Sequence, residues 1–267
     1  MSHAYYLYCI GETEALASVY GQEMPPPIEP DTTFVKIDAG GLSAVASRVP
    51  LADYGEEALR ERGTDATWVA VRAMRHEKVV EHFARRASVV PLRFGTIYLE
   101  SENVERMLDE KRDELLAIIG RLRGREEWGL NVYCDRAKLK EVIVSLSPRL
   151  RELSEQATQA SPGQAYLIGK KIDSLRDAEA RAETRRVAAA IEQELAGAAA
   201  AAARLRVLKD EAGEQGDVAA KLAFLVERDR FDRYRAAAEQ LAQKYEGAGF
   251  KLELTGPWPP YNFAAGG

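Results

Sequence analysis

The chain has 267 residues, of which 30% are charged, and its formal net charge at pH 7 is −5. Because non-specific nucleic-acid binding usually needs a strongly basic face, this balance argues against nucleic acid as a partner. No apolar run approaches the roughly 18 residues of a membrane-spanning helix, and the first residues lack the basic and apolar regions of a signal peptide. We therefore expect a cytoplasmic protein that binds no lipid membrane.

The length predicts two domains. In the first hundred residues the patterns predict strands at 4–10, 33–37, 42–49 and 89–99, a short helix at 13–20, and a longer helix at 65–87 capped by Thr64. The order strand, helix, strand, strand, helix, strand is that of the split βαβ, or ferredoxin-like, arrangement. Residues 1–100 are therefore predicted to form a ferredoxin-like α+β domain. Cys9 is expected to be a buried thiol, as is Cys134 later in the chain, because neither belongs to a disulfide framework.

Residues 89–99 read Val-Val-Pro-Leu-Arg-Phe-Gly-Thr-Ile-Tyr-Leu and are rich in β-branched and aromatic side chains. Pro91 lacks a backbone donor, which favours a strand start or a sheet edge. Gly95 indicates a bulge or a close backbone approach. Arg93 lies between apolar neighbours, so we expect a carboxylate or several carbonyls beside it, either in a structural ion pair or in a contact with a partner.

His76 lies on the apolar stripe of the 65–87 helix, next to Glu77. A satisfied interior or interface histidine is one explanation, and metal or acid–base chemistry is the other. The zinc-helix pattern needs a second histidine four residues after the first, and position 80 is valine. This favours the structural explanation.

Residues 101–127 are predicted to bridge to a second domain through a helix at 101–123. The remainder, 128–267, is predicted to contain strands at 128–134, 204–208, 218–227 and 250–255, and helices at 136–145, 148–158, 161 to about 203, and 229–245. The strands and helices follow the same order as in the first domain, with long helices added. The predicted fold class is α+β, with two ferredoxin-like domains, the second elaborated by a long helical hairpin and a tail of proline and aromatic residues.

The tail, residues 256–263, combines prolines that force an extended backbone with three large rings. It either clamps its own domain or is displayed as a ligand for a proline-recognition partner. We expect it to pack on the second domain, because Leu252 and Leu254 lead into it from a closing strand.

Four segments together resemble one known family: Tyr5-Tyr6-Leu7-Tyr8, His76-Glu77 with Val79, residues 89–96, and residues 254–263. The family is the gas vesicle protein GvpL/GvpF family, and the resemblance covers essentially the whole chain. It implies a non-enzymatic accessory or minor structural protein of gas vesicle assembly, found at the gas vesicle in the cytoplasm. It also implies that the chain binds the small hydrophobic gas vesicle shell protein and other accessory proteins.

The family defines no catalytic residues, and the resemblance implies no metal or cofactor. The motif residues are instead candidates for interaction: His76, Pro91, Arg93, Phe94, Gly95, Gly256, Pro257, Trp258, Pro259, Pro260, Tyr261 and Phe263.

The alternative function is a ferredoxin-like enzyme or haem-binding protein that uses His76 and Arg93 at a domain cleft. The sequence offers no nucleophile–base pair, no metal-ligand spacing and no phosphate loop, and it contains three histidines. RNA binding on an open sheet face is a third possibility, but the aromatic and basic strand motif that it needs is missing.

Overall fold

The computed structural model describes residues 3–207, 212–213 and 216–264. The chain divides into two compact units, residues 1–127 together with 258–267, and residues 128–257. The fold is mixed α+β with two sheets, as the sequence predicts. In the part of the chain that is described, no helix is long and apolar enough to cross a membrane. The division into a domain at 1–100, a bridge at 101–127 and a domain at 128–267 stays a prediction.

The first unit contains an antiparallel sheet with the strand order β2-β3-β1-β4, and β5 also pairs with β1. Its elements are β1 (His3–Glu12), α1 (Thr13–Tyr20), β2 (Phe34–Ala39), β3 (Leu42–Pro50), α2 (Leu51–Tyr54), α3 (Glu56–Arg62), α4 (Ala66–Ala84), β4 (Val89–Pro91), β5 (Ile97–Tyr98), α5 (Ser101–Glu110) and α6 (Arg112–Leu122).

Strand β1 is central in this sheet and is buried along nearly its whole length. Helices α4 and α6 both contact it. A strand that is covered on both faces reads as a continuous apolar run rather than an alternation, which explains the sequence of residues 4–10.

Helix α4 begins one residue later than the sequence predicts, and its cap differs. The Asp65 carboxylate accepts from the backbone N–H groups of Thr67 (2.9 Å) and Trp68 (3.0 Å). Asp65 is therefore the N-cap, in the usual geometry for that position, and the predicted cap at Thr64 is wrong.

The predicted single strand at 89–99 is wrong, because a turn divides it into β4 and β5. Gly95 has φ +83°, a value that favours glycine, and the N–H of Thr96 donates to the carbonyl of Arg93 (3.2 Å). Pro91 lies in β4 at the edge of the sheet, as expected. The turn places Arg93 in an exposed position, so its charge is not enclosed by apolar neighbours, and a contact with a partner stays a prediction.

The second sheet has the strand order β10-β6-β9-β7, and β8 also pairs with β9. Its unit holds β6 (Arg125–Cys134, which begins in the first unit), α7 (Arg136–Leu146), α8 (Pro148–Gln159), α9 (Pro162–Ala196), β7 (Ala201–Leu205), β8 (Ala212–Gly213), β9 (Gly216–Glu227), α10 (Phe231–Glu246) and β10 (Phe250–Trp258). The hydrophobic core of this unit lies between one face of the sheet and helices α7, α9 and α10.

Two helix predictions, one in each unit, need correction. Helix α9 ends at Ala196 rather than near 203, because the alanine-rich residues after Gly197 turn and form β7, in which Ala201 pairs with Leu225. The end of the strand predicted at 204–208 lies outside the described residues. The helix predicted at 101–123 is interrupted at Lys111, whose φ of −103° and ψ of 13° leave the helical region.

Candidate functional site

The four sequence motifs meet in the first unit. Tyr6 from β1, His76 and Glu77 from α4, Gly95 from the β4–β5 turn, and Tyr261 from the tail form one hydrogen-bonded group. We call these five residues the motif cluster. Their sequence separations reach 185 residues, so the cluster exists only in the folded chain.

His76 lies at the centre of the motif cluster and is 2% exposed. Its Nε2 lies 3.1 Å from the carbonyl oxygen of Leu92, and its Nδ1 lies 3.0 Å from the hydroxyl of Tyr6. Because a carbonyl only accepts, Nε2 carries the proton and Nδ1 accepts from Tyr6. Burial lowers the pKa of His76 to about 4, so the imidazole is neutral at pH 7.

Aromatic rings and hydroxyls fix His76 from several sides. The Tyr8 ring stacks on the imidazole at 5.7 Å and 25°, and the Phe94 ring meets it edge-on at 5.9 Å. The N–H of Gly95 donates to the Tyr6 hydroxyl (3.0 Å), and the N–H of Ile28 donates to the Tyr8 hydroxyl (2.8 Å). Burial raises the pKa of Tyr8 to about 12 and that of Tyr6 further. Both hydroxyls therefore act as hydrogen-bonding groups, not as acids at neutral pH.

The tail binds the first unit through two carboxylates. The Tyr261 hydroxyl donates to Glu77 Oε2 (3.1 Å) and lies 3.3 Å from His76 Nε2, whose proton it accepts. The backbone N–H of Asn262 donates to Glu127 Oε2 (3.0 Å), and its side-chain amide donates to Glu127 Oε1 (2.5 Å). Burial raises the pKa of Glu77, and it raises the pKa of Glu127 to about 6, the nearby Glu77 adding to the effect.

The expectation that the tail packs on the second domain is therefore wrong. Tyr261 packs against the core of the first unit, where Glu77 and His76, the hydrogen-bond partners of its hydroxyl, lie. The proline and aromatic residues of the tail do not act alike. The peptide bond between Gly256 and Pro257 is cis, Trp258 is 51% exposed, and Pro259 is buried.

The remaining part of the tail forms a turn. The N–H of Tyr261 donates to the carbonyl of Pro259 (2.7 Å), and the N–H of Phe263 donates to the carbonyl of Pro260 (3.1 Å). This turn presents Tyr261 and Asn262 to their carboxylate partners. Phe263 is half-buried.

The motif cluster has the chemistry of a closed structural network. Both nitrogens of His76 have partners, so neither is free to bind an iron atom or to accept a substrate proton. His76 and Arg93 differ in surroundings, one buried and one exposed on a turn. Among residues 3–207, 212–213 and 216–264, no three His, Cys, Asp or Glu side chains form a group that could hold a metal ion. Both cysteines are free and buried, as expected.

Five contributors were not among the candidates chosen from the sequence: Tyr6, Tyr8, Glu77, Glu127 and Asn262. Glu77 and Asn262 belong to two of the quoted motifs. The hydroxyl of Tyr6 and the ring of Tyr8 belong to the quoted N-terminal motif, and that motif was the available signal. Glu127 had no such signal, since a glutamate just before a predicted strand is expected to be exposed, yet it is 4% exposed.

The fold and the motif cluster define a class: an α+β protein with two sheets, whose motif residues are used to join a C-terminal tail to an N-terminal sheet unit. A family model described as gas vesicle synthesis protein GvpL/GvpF matches residues 4–265. The chain belongs to this family, and the resemblance seen in the sequence is confirmed.

Relatives and solved structures agree with this assignment. Gas vesicle protein L of Streptomyces sp. (strain CB03234) is 30% identical over 84% of this chain and 80% of its own length. Gas vesicle protein F of the same organism is also 30% identical, over 84% of each chain. The crystal structure of GvpF from Anabaena sp. PCC7120 superposes with a TM-score of 0.67 at 19% identity, covering 99% of this chain and 97% of that one. The chain is thus a gas vesicle family protein involved in gas vesicle formation.

Proposed function

We propose that the chain is a non-enzymatic accessory or minor structural protein of gas vesicle assembly, and that its first unit binds the small hydrophobic shell protein at the gas vesicle. The observation that supports this most is the motif cluster itself. Its tyrosine, histidine and glutamate side chains hydrogen-bond one another, so they hold the first unit together instead of forming a reaction centre. Other gas vesicle accessory proteins are further proposed partners.

The surface of the first unit offers apolar groups suited to a hydrophobic partner. Met74 is 61% exposed and Val71 is 39% exposed, and both lie on helix α4, three residues apart. Residues at this spacing share one face of a helix. Phe94, 39% exposed, and Leu99, 63% exposed, lie elsewhere in the same unit. Of these, Val71 and Met74 are the proposed contact, because they share one face of the same helix.

The test uses the full chain immobilised as bait for the purified shell protein. We expect Val71→Gln combined with Met74→Gln to abolish retention, because burial of two apolar side chains is lost. The matched control is Tyr166→Gln with Leu167→Gln, which removes two exposed apolar groups of the second unit. Retention that survives the first pair, or that is lost with the second pair alone, contradicts the assignment to the first unit.

We also infer that each unit follows the ferredoxin-like arrangement. The support is the strand order, since the first, second, third and last main strands of each unit occupy equivalent places in β2-β3-β1-β4 and β7-β9-β6-β10. The haem-binding or enzymatic alternative is not favoured, because His76 has no free nitrogen. A visible absorption band that copurifies with the full chain and is lost in His76→Gln would restore that alternative.

A further inference from the structure

The sheet of the second unit ends on one side at strand β10, whose outer edge pairs with no strand in the described part of the chain. The N–H of Asp135 donates to the carbonyl of Gly249, just before β10 (2.8 Å). Alternate residues of a strand direct their backbone groups to the same neighbour. The N–H and C=O groups of Phe250, Leu252 and Leu254 therefore point to the outer edge.

This edge is long enough to bind another strand. Strand β10 has nine residues, and the first proline in it is Pro257. Unpaired N–H and C=O groups at such an edge recruit other strands, so proteins usually shorten, charge or cover an edge. The opposite edge strand, β7, is short, with five residues. The length of β10 therefore indicates an edge that another strand covers.

An apolar groove lies beside this edge, between β10 and helix α10. It has a volume of about 410 Å³, and we call it the edge groove. Leu252 and Leu254 line it from β10 and are half-buried. Ala238 and Ala242 line it from α10, four residues apart, and their small side chains leave room for a second helix. Apolar side chains and open backbone groups thus lie next to each other, which suits a partner that brings both a strand and an apolar face.

Two opposite charges lie at the rim of the edge groove. Arg235 and Glu239 lie on α10, and each side chain is more than half exposed. The Nε of Arg235 is 3.7 Å from Oε1 of Glu239. This distance is too long for a hydrogen bond, and exposed pairs of this kind contribute little to stability. Both side chains therefore keep their donors and acceptors for a partner.

We propose that the chain forms a two-fold symmetric dimer through β10, in which each β10 pairs antiparallel with that of a second copy. In such a dimer one surface contacts the same surface of the partner, so it must be complementary to itself. A strand edge meets this condition, because an identical edge that runs the other way matches its N–H groups with C=O groups.

The rim of the edge groove meets the same condition. The two-fold axis that makes the strands antiparallel also makes the two α10 helices antiparallel. Arg235 of one copy then faces Glu239 of the partner subunit, and the same pair occurs a second time. A strand of a different protein could form the backbone bonds, whereas a second copy also brings α10 with its two charges in the reversed order.

Packing distances permit the strand and helix contacts at the same time. Neighbouring strands lie about 4.8 Å apart, and packed helices have axes about 8–10 Å apart. Helix α10 packs against both β6 and β10 across the edge groove. Two such helices on either side of the joined edges are therefore separated by about two strand spacings, roughly 10 Å, and the leucines of each groove are covered by the partner.

The test is analytical ultracentrifugation of the full chain between about 1 and 100 µM. We expect a dimer whose dissociation constant rises at least about ten-fold in Arg235→Glu, because two attractions become two repulsions. The exchanged variant Arg235→Glu, Glu239→Arg should dimerise like the wild-type chain. The matched control is Arg60→Glu, which disrupts the exposed pair with Glu56 at the same spacing in the first unit and should leave dimerisation unchanged.

Hydrogen exchange locates the interface. Amides of residues 250–256 should be protected at high protein concentration in the wild-type chain but not in Arg235→Glu at the same concentration. A dimer that leaves these amides unprotected would use another surface and would overturn the proposal.

Three other results would also contradict it. These are a chain that stays monomeric up to about 100 µM, an exchanged variant that dimerises no better than Arg235→Glu, and a control that weakens the dimer equally. Protection of residues 250–256 that appears only when a different gas vesicle protein is added would make β10 a docking edge for another chain, which the proposal excludes. None of these outcomes depends on the shell-protein contact proposed above.

Discussion

Replacing Tyr261 by phenylalanine tests how the tail is held. The substitution keeps the ring packed in the core of the first unit but removes the hydroxyl that donates to Glu77 (3.1 Å) and accepts from His76 (3.3 Å). His76 keeps its bond to the Leu92 carbonyl, so the main loss is the donor to a carboxylate. Hydrogen bonds to charged groups contribute about 1.5–3 kcal/mol. We expect the free energy of unfolding of the first unit to fall by that amount.

The assay is urea unfolding of the full chain at about pH 7.5, where Glu77 is ionised. The matched control is Tyr98→Phe, since the described residues offer Tyr98 no side-chain hydrogen bond and surface changes of this kind usually stay within about 0.5 kcal/mol. Burial raises the pKa of Glu77. At acid pH, where this carboxyl is protonated, the bond is between neutral groups and the cost should shrink to about 0.5–1.5 kcal/mol.

A loss below about 0.5 kcal/mol for Tyr261→Phe at neutral pH, equal to that of the control, would refute the account of the tail. A loss that stays constant between neutral and acid pH would refute the role of Glu77 as the charged acceptor. In the first case the Tyr261 hydroxyl would add nothing measurable to the packing of its ring and to the bonds between Asn262 and Glu127. In the second case the hydroxyl would contribute, but not through a charged acceptor.

Three further outcomes follow from the same contacts. Deleting residues 258–267 removes the Tyr261 ring, whose burial contributes about 1.5–3 kcal/mol. The melting temperature of the first unit should therefore fall while that of the second unit stays the same, and an unchanged melting curve would contradict this. Burial raises the pKa of Glu127 to about 6, so the protonated carboxyl stabilises the fold below about pH 4.5. This contribution of about 2 kcal/mol is lost as the pH rises through 6. Urea titrations of Glu127→Gln between these pH values should lack the loss. Burial lowers the pKa of His76 to about 4, so the free energy of unfolding should fall by about 3 kcal/mol as the pH falls from about 6.5 to 4. The His76→Gln variant should be less stable at neutral pH but should lack this loss. A variant profile parallel to that of the wild-type chain would show that His76 does not cause the loss.

Local pattern predicted the order of elements well where one rule dominates. The alternation of turn residues and β-branched runs located β2 and β3, and the apolar stripe located α4. The pattern failed where two rules compete. Most of residues 89–99 favour a strand by propensity, but Gly95 at φ +83° permits a turn. The pairing of both short strands with β1 fixes the turn in place. The alanine run after Gly197 favours a helix by propensity, yet pairing with β9 makes part of it a strand.

The candidate site shows a different limit of prediction from sequence. Its motifs were visible in the sequence, but where they meet was not. The prediction for the tail relied on nearness along the chain to Leu252 and Leu254. The hydrogen-bond partners of the Tyr261 hydroxyl, Glu77 and His76, instead lie 184 and 185 residues away. Glu127 was overlooked for the same reason: a glutamate becomes recognisable as a buried acceptor only when Asn262 is placed beside it.

The central claim, that this chain works in gas vesicle assembly, is tested most directly by deleting its gene in a gas-vesicle-forming host that carries it. Vesicles are counted by electron microscopy, with the wild-type chain and the Val71→Gln, Met74→Gln variant each returned from a plasmid. We expect the deletion to abolish or severely reduce vesicles, the wild-type chain to restore them, and the variant to fail. Normal vesicle counts and normal flotation in the deletion strain would contradict the account.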